Sequence, residues 1–386
     1  MNKIWIFLLI ILGSCNFTAN PIKDSDAIDL AVLHLIDHQQ KNGQFLNHAN
    51  LKGDSLLTDN YPIFRHAEAL LALRHSKEYS SVNQQKIDRS IQHGLDYLLS
   101  QVEQGAESSY FLVKNKLDQS VPQRKLLDQA LGISVLIGLK SSYQISDSLI
   151  HNLYRGLLTF KDSSGNYMRF IHTNNRDIFE LRQVALNSTA LFALCQYFNA
   201  YPSFEVKQQI LPLLKGELDT LDQNSWYWDM YFMQSIKELL TSDFRFSEYR
   251  DTLVHAQEVM QGRALKQQII KPGSPFHGSF DEKGRINHTS TRIVAATAVL
   301  GLVDVSNDSL MAIFNGAETF IKTVQVRGTK YPGAFTKSSC IIPGATMLEK
   351  RANYQIRLDY TSHALKALCA LNALKQKRSS TEVNDL

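Results

Sequence analysis

Cysteine is scarce in this 386-residue chain, which has four cysteines, and none of them has the spacing to histidine or to another cysteine that zinc sites use. We therefore expect no metal ion. Cys195 and Cys369 lie in the apolar runs "LFALCQYF" and "LKALCALNAL". Such surroundings predict buried thiols, and one disulfide among Cys195, Cys340 and Cys369 is the alternative in an oxidising compartment.

The chain also has little excess of either charge, with 41 lysines and arginines against 37 acidic residues and a net charge of +4. Proteins that bind nucleic acid carry a clustered basic face, so we expect no nucleic-acid partner. A small positive balance is compatible with an anionic substrate but does not require one. The sequence has no Walker loop, dinucleotide fingerprint or nucleophile elbow, and we expect no cofactor.

Long apolar runs are missing except at the amino terminus. There, "MNKIWIFLLIILGSC" carries one lysine, an apolar core from Ile4 to Leu12 and then small residues. This run is too short to span a bilayer as a mature helix and is typical of a secretory signal peptide, over residues 1–14. Cleavage would remove Lys3 and lower the net charge to +3.

"LGSC", Leu12 to Cys15, resembles the lipobox of bacterial lipoproteins. The resemblance implies cleavage before Cys15, a diacylglyceryl thioether on its sulfur and an acylated amino terminus. Two or more acyl chains hold a protein stably on a membrane. We therefore expect a lipid-anchored protein of the bacterial cell envelope, tethered by residues 15–25 and touching the membrane only through its anchor. The alternative is an ordinary cleaved signal with an incidental cysteine.

A turn built around an aromatic residue, with glycine in five of six copies, ends a helical run repeatedly along the chain. The first copy is "HQQKNGQF", His38 to Phe45. Glycine adopts the left-handed conformation at a helix end without steric cost, and the aromatic ring can then fold back onto the apolar face. The aromatic residues of the six turns, 52 to 66 positions apart, are Phe45, Phe111, Tyr167, Trp228, Phe280 and Phe335.

Each turn is followed, after a loop, by a second helix that is rich in alanine and leucine. These helices are predicted at residues 64–73, 126–139, 181–194, 228–240, 288–303 and 357–371. They are apolar nearly all round, which is typical of a buried helix, and repeats of about 50 residues with such inner helices favour closure into a ring. The sequence therefore predicts an all-α (α/α)6 toroid of six helical hairpins over residues 26–376, with little sheet and a disordered tail at 377–386.

This arrangement resembles the α/α-toroid folds of terpenoid cyclases, six-hairpin glycosidases and alginate-type polysaccharide lyases. "QKNGQF" is similar to the Gln-x-x-x-Gly-x-Trp turn of the terpenoid cyclases, with Phe45 in place of tryptophan. Gln101 and Gln325 precede two further turns, and most copies lack glutamine at the right distance. The cyclase Asp-x-Asp-Asp and Asp-Asp-x-x-Asp motifs are absent, so the resemblance implies the architecture and not terpene cyclisation.

Polar residues gather at the amino ends of the predicted inner helices, which a closed ring brings together at one mouth. Apolar inner helices do not need such groups for packing, and the free N–H groups at helix starts favour anions. We predict catalytic roles for His66, His288, Asp359, Tyr360 and His363. We predict substrate binding by Arg65, Arg182, Asn187, Asp229, Arg292 and Arg357. Taken singly, each of these residues could instead cap a helix or brace a loop.

"RLDYTSHALKAL" holds the densest cluster, in which Asp359 and His363 are i,i+4 neighbours on one helical face. A carboxylate beside an imidazole orients the ring and favours proton transfer. With Tyr360 and the arginines, this pair resembles the equipment of polysaccharide lyases and uronate epimerases, in which a cation neutralises a sugar carboxylate and tyrosine or histidine removes the adjacent proton. The sequence therefore predicts action on a carbohydrate or other small anionic substrate, with an acidic polysaccharide or oligosaccharide favoured.

Two alternatives stay open. Glycoside hydrolysis needs a pair of carboxylates, and Asp128, Asp229 and Asp359 are available on three inner helices. A toroid that binds a glycan or peptide for a surface assembly, without turnover, would use the same arginines and aromatic residues.

Overall fold

A computed structural model of the chain describes residues 24–51, 61–112, 123–172, 184–224, 228–242, 246–327, 330–339 and 353–384. The predicted signal peptide, the lipidation site Cys15, the tether as far as residue 23 and the predicted substrate-binding Arg182 lie outside these ranges. So does Cys340, one of the three cysteines considered for a disulfide.

Helices that alternate between an outer and an inner layer make up most of the described chain. The outer helices are α1 (Asp24–Asp37), α3 (Gln84–Ser100), α5 (Asp147–Leu158), α7 (Phe204–Gln223), α9 (Arg250–Gln267) and α11 (Asp308–Thr323). The inner helices are α2 (Ile63–Ser76), α4 (Leu126–Tyr143), α6 (Val184–Ala200), α8 (Met230–Thr241), α10 (Ile286–Ala296) and α12 (Leu358–Asn384). The order gives six hairpins, each with an outer helix followed by an inner one.

The six inner helices form a closed ring. Each packs against the next along the chain, and α12 packs against α2, so the last hairpin meets the first. Helix α1 also packs against α12, which joins the outer layer at the same place. The predicted (α/α)6 toroid of six helical hairpins is confirmed.

The two layers differ in how they bury their side chains. On α3, burial follows one face, through Ile87, Ile91, Leu95 and Leu98, as expected for an amphipathic helix between the core and solvent. On α4, every residue from Asp128 to Leu136 is buried, because inner helices have neighbours on all sides. None of the helices in the described ranges combines the length and apolarity that a bilayer span requires.

Three short antiparallel ladders lie on the side where the inner helices begin. Strand β1 (His48–Asn50) pairs with β6 (Gln355–Arg357), β2 (Val102–Gln104) with β3 (Ser109–Phe111), and β4 (Gln123–Lys125) with β5 (Phe170–His172). The β1–β6 ladder, with Ala49 opposite Ile356, joins the first and last hairpins and reinforces ring closure at the mouth. The small strand content agrees with the all-α prediction.

Glutamine side chains tie three of the aromatic turns to the next outer helix. Gln39 Nε2 donates to the carbonyls of Gly43 and of Ser90 on α3, both at 3.0 Å. Gln325 Nε2 donates in the same way to Gly333 (3.4 Å) and to Ala27 on α1 (2.8 Å), which closes the ring.

Gln268 repeats this pattern with Gly278 (2.9 Å) and with Ile313 on α11 (2.6 Å). The spacing between glutamine and glycine is longer in the later copies, which is why the sequence pattern looked degenerate. The side chain of Gln101, by contrast, donates only to the neighbouring Ser100 hydroxyl among the described contacts. These glutamine hydrogen bonds therefore form at three turns with different spacings in the sequence, and the fold brings the glutamine and the turn together.

The glycines of these turns are required for two separate reasons. Gly43, Gly278 and Gly333 have φ angles of +90°, +86° and +83°, which side chains disfavour. A Cβ atom on Gly278 would also meet the backbone carbonyl of Gly316, and one on Gly333 would meet that of Leu30. Glycine thus allows each turn to touch the backbone of the next outer helix.

The carboxyl-terminal segment differs from its prediction. Helix α12 continues through most of residues 377–386, the range expected to be disordered, and ends at Asn384. Lys377 Nζ donates to the Val303 carbonyl at 2.7 Å, and Arg378 pairs with Asp308 at 2.8 Å. The polar composition suggested disorder, but these contacts hold the first turn of the segment against the fifth and sixth hairpins.

Cys195 and Cys369 are both buried and unbonded. Each lies on an inner helix within the apolar core, and burial raises the thiol pKa of both well above its ordinary value. The predicted buried thiols are confirmed for these two residues.

Candidate functional site

The fourth residue of each of four inner helices holds the backbone of its own hairpin's aromatic turn. The side chains of Gln129, Asn187, Thr289 and Thr361 accept hydrogen bonds from the backbone N–H groups of Phe111, Tyr167, Phe280 and Phe335. Asn187, predicted to bind substrate, is one of these residues and accepts at 2.9 Å. This hydrogen bond gives Asn187 a structural role in holding the turn.

His66 occupies the corresponding position in the first hairpin. Its ring nitrogens contact the Tyr61 hydroxyl and the Gly94 carbonyl, both at 2.7 Å, and Tyr61 in turn accepts the N–H of Phe45. Burial lowers the pKa of His66 to about 4, although the Gly94 carbonyl opposes the shift. His66 is therefore neutral near pH 7, with both nitrogens occupied, and we leave it out of the proposed site.

Two of the aspartates considered for hydrolysis organise helix starts. Asp229 caps α8 by accepting the N–H groups of Tyr231 and Phe232, and it accepts the Ser188 hydroxyl at 2.7 Å. Asp128 is fully buried, and its Oδ1 accepts the N–H of Phe64 at 2.7 Å. Burial raises the pKa of each carboxyl to about 6, against the opposing effect of these hydrogen bonds.

Two arginines meet at a third aspartate, Asp359, at the start of α12. Arg357 donates to both carboxylate oxygens, at 3.0 and 2.6 Å, and Arg65 Nε lies 3.4 Å from Oδ1. The Arg357 guanidinium also lies over the Tyr360 ring, 4.6 Å from its centroid. Within this three-residue cluster, two positive charges share one negative charge.

A buried network crosses the axis of the ring just below this cluster. Glu68 on α2 accepts the Tyr231 hydroxyl from α8 at 2.7 Å and the Lys366 ammonium from α12. Burial opposes ionisation of Glu68, but the charge and hydrogen bond of Lys366 and the neighbouring His363 imidazole outweigh it, so its pKa is well below the ordinary value. Glu68 is thus held as a carboxylate inside the protein.

His363 joins the two clusters. Its Nδ1 is hydrogen-bonded to Asn287 Oδ1 on α10, and its Nε2 lies 3.5 Å from Glu68 Oε2. This Nε2 has no hydrogen-bond partner among the described residues. Asn287 and Glu68 therefore position the imidazole, whereas its predicted orienting group, Asp359, is bonded to the arginines.

The remaining predicted residues lie at the start of α10. His288 Nδ1 is 3.6 Å from Asp281, which also receives two hydrogen bonds from the Arg285 side chain at 2.8 Å. Arg292 donates to the Phe280 carbonyl, and its guanidinium lies over the Trp228 ring at 5.5 Å. His288 and Arg292 are thus engaged with the fifth aromatic turn, at the same mouth but apart from the His363 network.

The structure therefore brings together Arg65, Arg357, Asp359, Tyr360 and His363 from two hairpins. It adds Glu68, Tyr231, Asn287 and Lys366, four residues that were not among the predicted site residues. Lys366 had a signal in the sequence, because a lysine stands in the middle of the apolar run "HALKALCAL". Asn287 and Tyr231 had none, since their roles come from side chains on other helices.

Tyr360 is buried beside these groups. Burial raises the pKa of its phenol above the ordinary value, although Arg357 and Arg65 oppose the shift. The hydroxyl is therefore protonated near neutral pH. In the described ranges, no three metal-ligating side chains of His, Cys, Asp or Glu come together.

Solved structures share the fold of this chain. A D-mannose isomerase matches with 14% sequence identity and a TM-score of 0.68, over 93% of this chain and 100% of that one. A cellobiose 2-epimerase from Bacillus thermoamylovorans matches with 11% identity and a TM-score of 0.62, over 87% of this chain and 95% of that one.

An α-1,6-mannanase from a Salegentibacter species matches with 10% identity and a TM-score of 0.60, over 91% of this chain and 98% of that one. No protein-family model matches this sequence, and no curated protein sequence matches it significantly. At these identities the structural matches show the α/α-toroid fold, in agreement with the architecture derived from the repeats.

Proposed function

We propose that this chain is an enzyme that acts on a carbohydrate by proton transfer at the mouth of the ring, with His363 as the acid–base group. The proposal rests on the different surroundings of the two nitrogens of the His363 ring. Asn287 holds Nδ1, while Nε2 lies beside Glu68 without a hydrogen-bond partner in the described part of the chain. One nitrogen of this imidazole is fixed, and the other, buried next to the Glu68 carboxylate, has a neighbouring group with which it can exchange a proton.

The neighbouring groups suit the charge that develops in such a reaction. Removal of a proton next to a sugar carbonyl or carboxylate places negative charge on oxygen. The excess positive charge of Arg65 and Arg357 over Asp359 would stabilise that charge, and would also bind a sugar carboxylate. The protonated Tyr360 hydroxyl, beside Arg357, supplies a donor for the same oxygen or for the returning proton.

Hydrolysis is the weaker candidate because the aspartates considered for it are buried or already engaged. Asp128 is fully buried, and one of its oxygens accepts a backbone N–H while the other has no hydrogen-bond partner among the described residues. Asp229 caps α8, and Asp359 is shared between two arginines. A hydrolase needs one protonated and one ionised carboxyl facing the glycosidic bond. The proton-transfer class, which covers epimerisation, isomerisation and elimination, needs only the groups that surround His363.

The matched structures add support for a saccharide as the substrate. Their names refer to D-mannose, cellobiose and α-1,6-mannan, and the first two are an isomerase and an epimerase. We favour an acidic oligosaccharide for this chain because of the unbalanced arginine charge. The lipobox-like "LGSC" supports a place in the bacterial cell envelope, where a lipid-anchored enzyme would meet such glycans.

Hydrogen exchange from solvent tests the reaction directly. The protein is incubated in D2O with mannose, cellobiose, glucuronate and oligouronates, and NMR follows deuterium entering the carbon next to the carbonyl or carboxylate. We expect exchange with at least one of these sugars. His363→Asn should lower its rate by about 10²- to 10⁴-fold, the usual contribution of an acid–base group. Tyr360→Phe should lower the rate as well.

Controls separate chemistry from folding. His255 is an exposed histidine on the outer helix α9, and His255→Asn should leave the exchange rate unchanged. The thermal midpoint of Tyr360→Phe should stay close to that of the unmutated protein. If sugars bind but deuterium enters none of them, the proton-transfer proposal is wrong, and hydrolysis and non-catalytic glycan binding remain. If His363→Asn exchanges at the full rate, His363 is not the acid–base group.

A further inference from the structure

The amino-terminal helix joins the ring at the end opposite the mouth. The inner helices begin at the mouth and finish at this other end, which we call the base, and the outer helices begin there because the loops that lead to them lie there. Asp29, near the start of α1, accepts hydrogen bonds from Ser80 Oγ at 2.6 Å and from the Ser81 N–H at 2.8 Å, in the loop that joins α2 to α3. The chain that precedes Asp24 is therefore connected to the base.

The length of the predicted tether favours a membrane at the base. Cys15, the predicted lipidation site, stands nine residues before Asp24, and nine residues reach at most about 30 Å when fully extended. Helix α1 alone, with 14 residues, is about 21 Å long. A membrane at the mouth would need the tether to run nearly fully extended along the outside of the ring, whereas a membrane at the base needs no such path.

An exposed aromatic side chain lies on the other side of the base. Phe204, the first residue of α7, is 69% exposed, the largest exposed fraction among the large apolar side chains of the described residues. Ser203 caps α7 by accepting the Val206 N–H, so the helix start does not require the phenyl ring. Helix α7 belongs to the fourth hairpin, three places from the first in a closed ring of six. The tether and Phe204 therefore lie on opposite sides of the base.

A groove with aromatic walls lies beside Phe204. It has a volume of about 530 Å³ and is lined at the start of α5 and the end of α6 by His151, Tyr154, Tyr197 and Tyr201. The residues on either side of Phe204 line it as well. The Tyr154 and Tyr197 rings stack with their centroids 3.9 Å apart, and the Tyr197 hydroxyl is hydrogen-bonded to His151 Nδ1 at 2.6 Å. Tyrosines, with an apolar ring and a polar tip, are enriched where proteins meet the membrane–water interface.

The charges near this groove do not favour an electrostatic contact. Lys140 is bound by Asp147, and Lys207 is bound by Glu248 at 2.9 Å. Glu205, next to Phe204, is exposed and adds a negative charge. Attraction to anionic lipid headgroups is therefore not what this surface offers, and its exposed phenyl ring and tyrosines suit an apolar contact with a zwitterionic lipid surface.

The mouth offers an internal comparison for this surface. Among the described residues, the other exposed large apolar side chains are Leu265, at the end of α9, and Ile270, in the fifth aromatic turn. Both lie at the end of the ring to which the tether is not joined. Ile270 is 64% exposed, nearly as much as Phe204, so the two side chains can report on the two ends of the ring.

We propose that the base of the ring rests on the lipid bilayer, with Phe204 inserted among the lipids and the mouth facing away from the membrane. The tether holds one side of the base and Phe204 the other, and two contacts on opposite sides limit the tilt of the ring. This orientation rests on an anchor at the amino terminus and not on the proposed activity. A saccharide substrate of the first site would then reach the mouth from the aqueous side.

Tryptophan substitutions at the two ends of the ring test this orientation. A hexahistidine tag replaces residues 1–15 and holds the rest of the chain on phosphatidylcholine vesicles that contain a nickel-chelating lipid, so the result does not depend on lipidation. Brominated phosphatidylcholine in the same vesicles quenches tryptophans that enter the bilayer. We expect the Phe204→Trp variant to show blue-shifted and quenched emission, and the matched control Ile270→Trp to show neither. The unmutated protein gives the background emission of Trp226 and Trp228.

Every other pattern of quenching would overturn the proposal. Quenching of Ile270→Trp alone would mean that the mouth faces the bilayer. Equal quenching of both variants, or of neither, would mean that the base makes no preferred contact with lipid. Both substituted residues are exposed, so the variants should fold, and circular dichroism verifies that they do. Deuterium exchange into sugars, which tests the proposed function, does not depend on this result.

Discussion

Lys366 donates a hydrogen bond to Glu68 where the ring closes, although 298 positions separate them in the sequence. The two residues lie on α12 and α2, the helices that close the toroid. Glu68 is 1% exposed and Lys366 is 7% exposed. A pair buried this deeply should contribute to stability. It also sets the electrostatic environment of His363, because Glu68 Oε2 lies 3.5 Å from the imidazole Nε2.

Removing the lysine should destabilise the protein strongly. In Lys366→Met the Glu68 carboxylate keeps the Tyr231 hydroxyl but loses its counter-ion, and breaking a buried pair from one side costs about 3–5 kcal/mol. Urea unfolding at pH 7 measures the difference. The double variant Lys366→Met, Glu68→Gln should recover part of the loss, because no charge is then left buried. A single variant within 1 kcal/mol of the unmutated protein would contradict the predicted coupling.

Asp128 should make stability depend on pH in the direction opposite to that of Glu68. Its folded pKa of about 6 lies above the ordinary 3.8, so the folded state holds more protons between these values and the contribution of Asp128 falls as pH rises through them. A shift of this size corresponds to about 2–3 kcal/mol. The free energy of unfolding of Asp128→Asn, relative to that of the unmutated protein, should therefore be about 2–3 kcal/mol higher at pH 7 than at pH 4.

Urea unfolding of both proteins at the two pH values gives this double difference. Packing costs of the substitution cancel in it, and asparagine keeps an acceptor for the Phe64 N–H. Asp219→Asn, at an exposed position of α7, is the control for replacing an aspartate on this protein. A difference for Asp128→Asn that is the same at both pH values would contradict the raised pKa of its carboxyl.

Gln325 should contribute measurably to ring closure. In Gln325→Ala the buried carbonyls of Ala27 and Gly333 lose their shared donor, which should cost about 1–3 kcal/mol in the free energy of unfolding. Gln101 precedes the second turn in the sequence but contacts only Ser100, so Gln101→Ala should stay within about 0.5 kcal/mol. Chemical denaturation compares the two variants. Equal losses of unfolding free energy in the two variants would mean that the hydrogen bond from Gln325 to Ala27 on α1 does not stabilise the ring.

Cys15 is predicted to carry the lipid anchor. Cys15→Ala should move the protein from the membrane fraction to the soluble envelope fraction, because the acyl chains would have no attachment site. Detergent phase partition followed by immunoblotting measures the distribution. Cys340→Ala, which leaves "LGSC" intact, should remain with the membranes. If Cys15→Ala also remains there, the lipobox interpretation is wrong.

The sequence by itself determined the architecture of this protein. The alternation of one-sided and all-round apolar helices is a local property, readable within each helix, and the six aromatic turns mark where outer helices end. Helices with apolar residues on every side need neighbours on every side, and a closed ring supplies them. The order of the hairpins and the mouth at which polar residues gather therefore followed from residues close together in the chain.

Only the tertiary structure decided which of those polar residues form a site. His66 and Asn187 stand at helix starts like Arg65, yet Asn187 holds its aromatic turn directly and His66 holds its turn through Tyr61, because the fourth inner-helix position faces the turn of its own hairpin. His363 depends on Asn287 and Glu68, which belong to other hairpins. Helix periodicity fixes which face a side chain occupies, but contacts across a ring also depend on the rotation and height of each helix. Packing of the whole ring sets those two quantities, and no single segment of the sequence contains them.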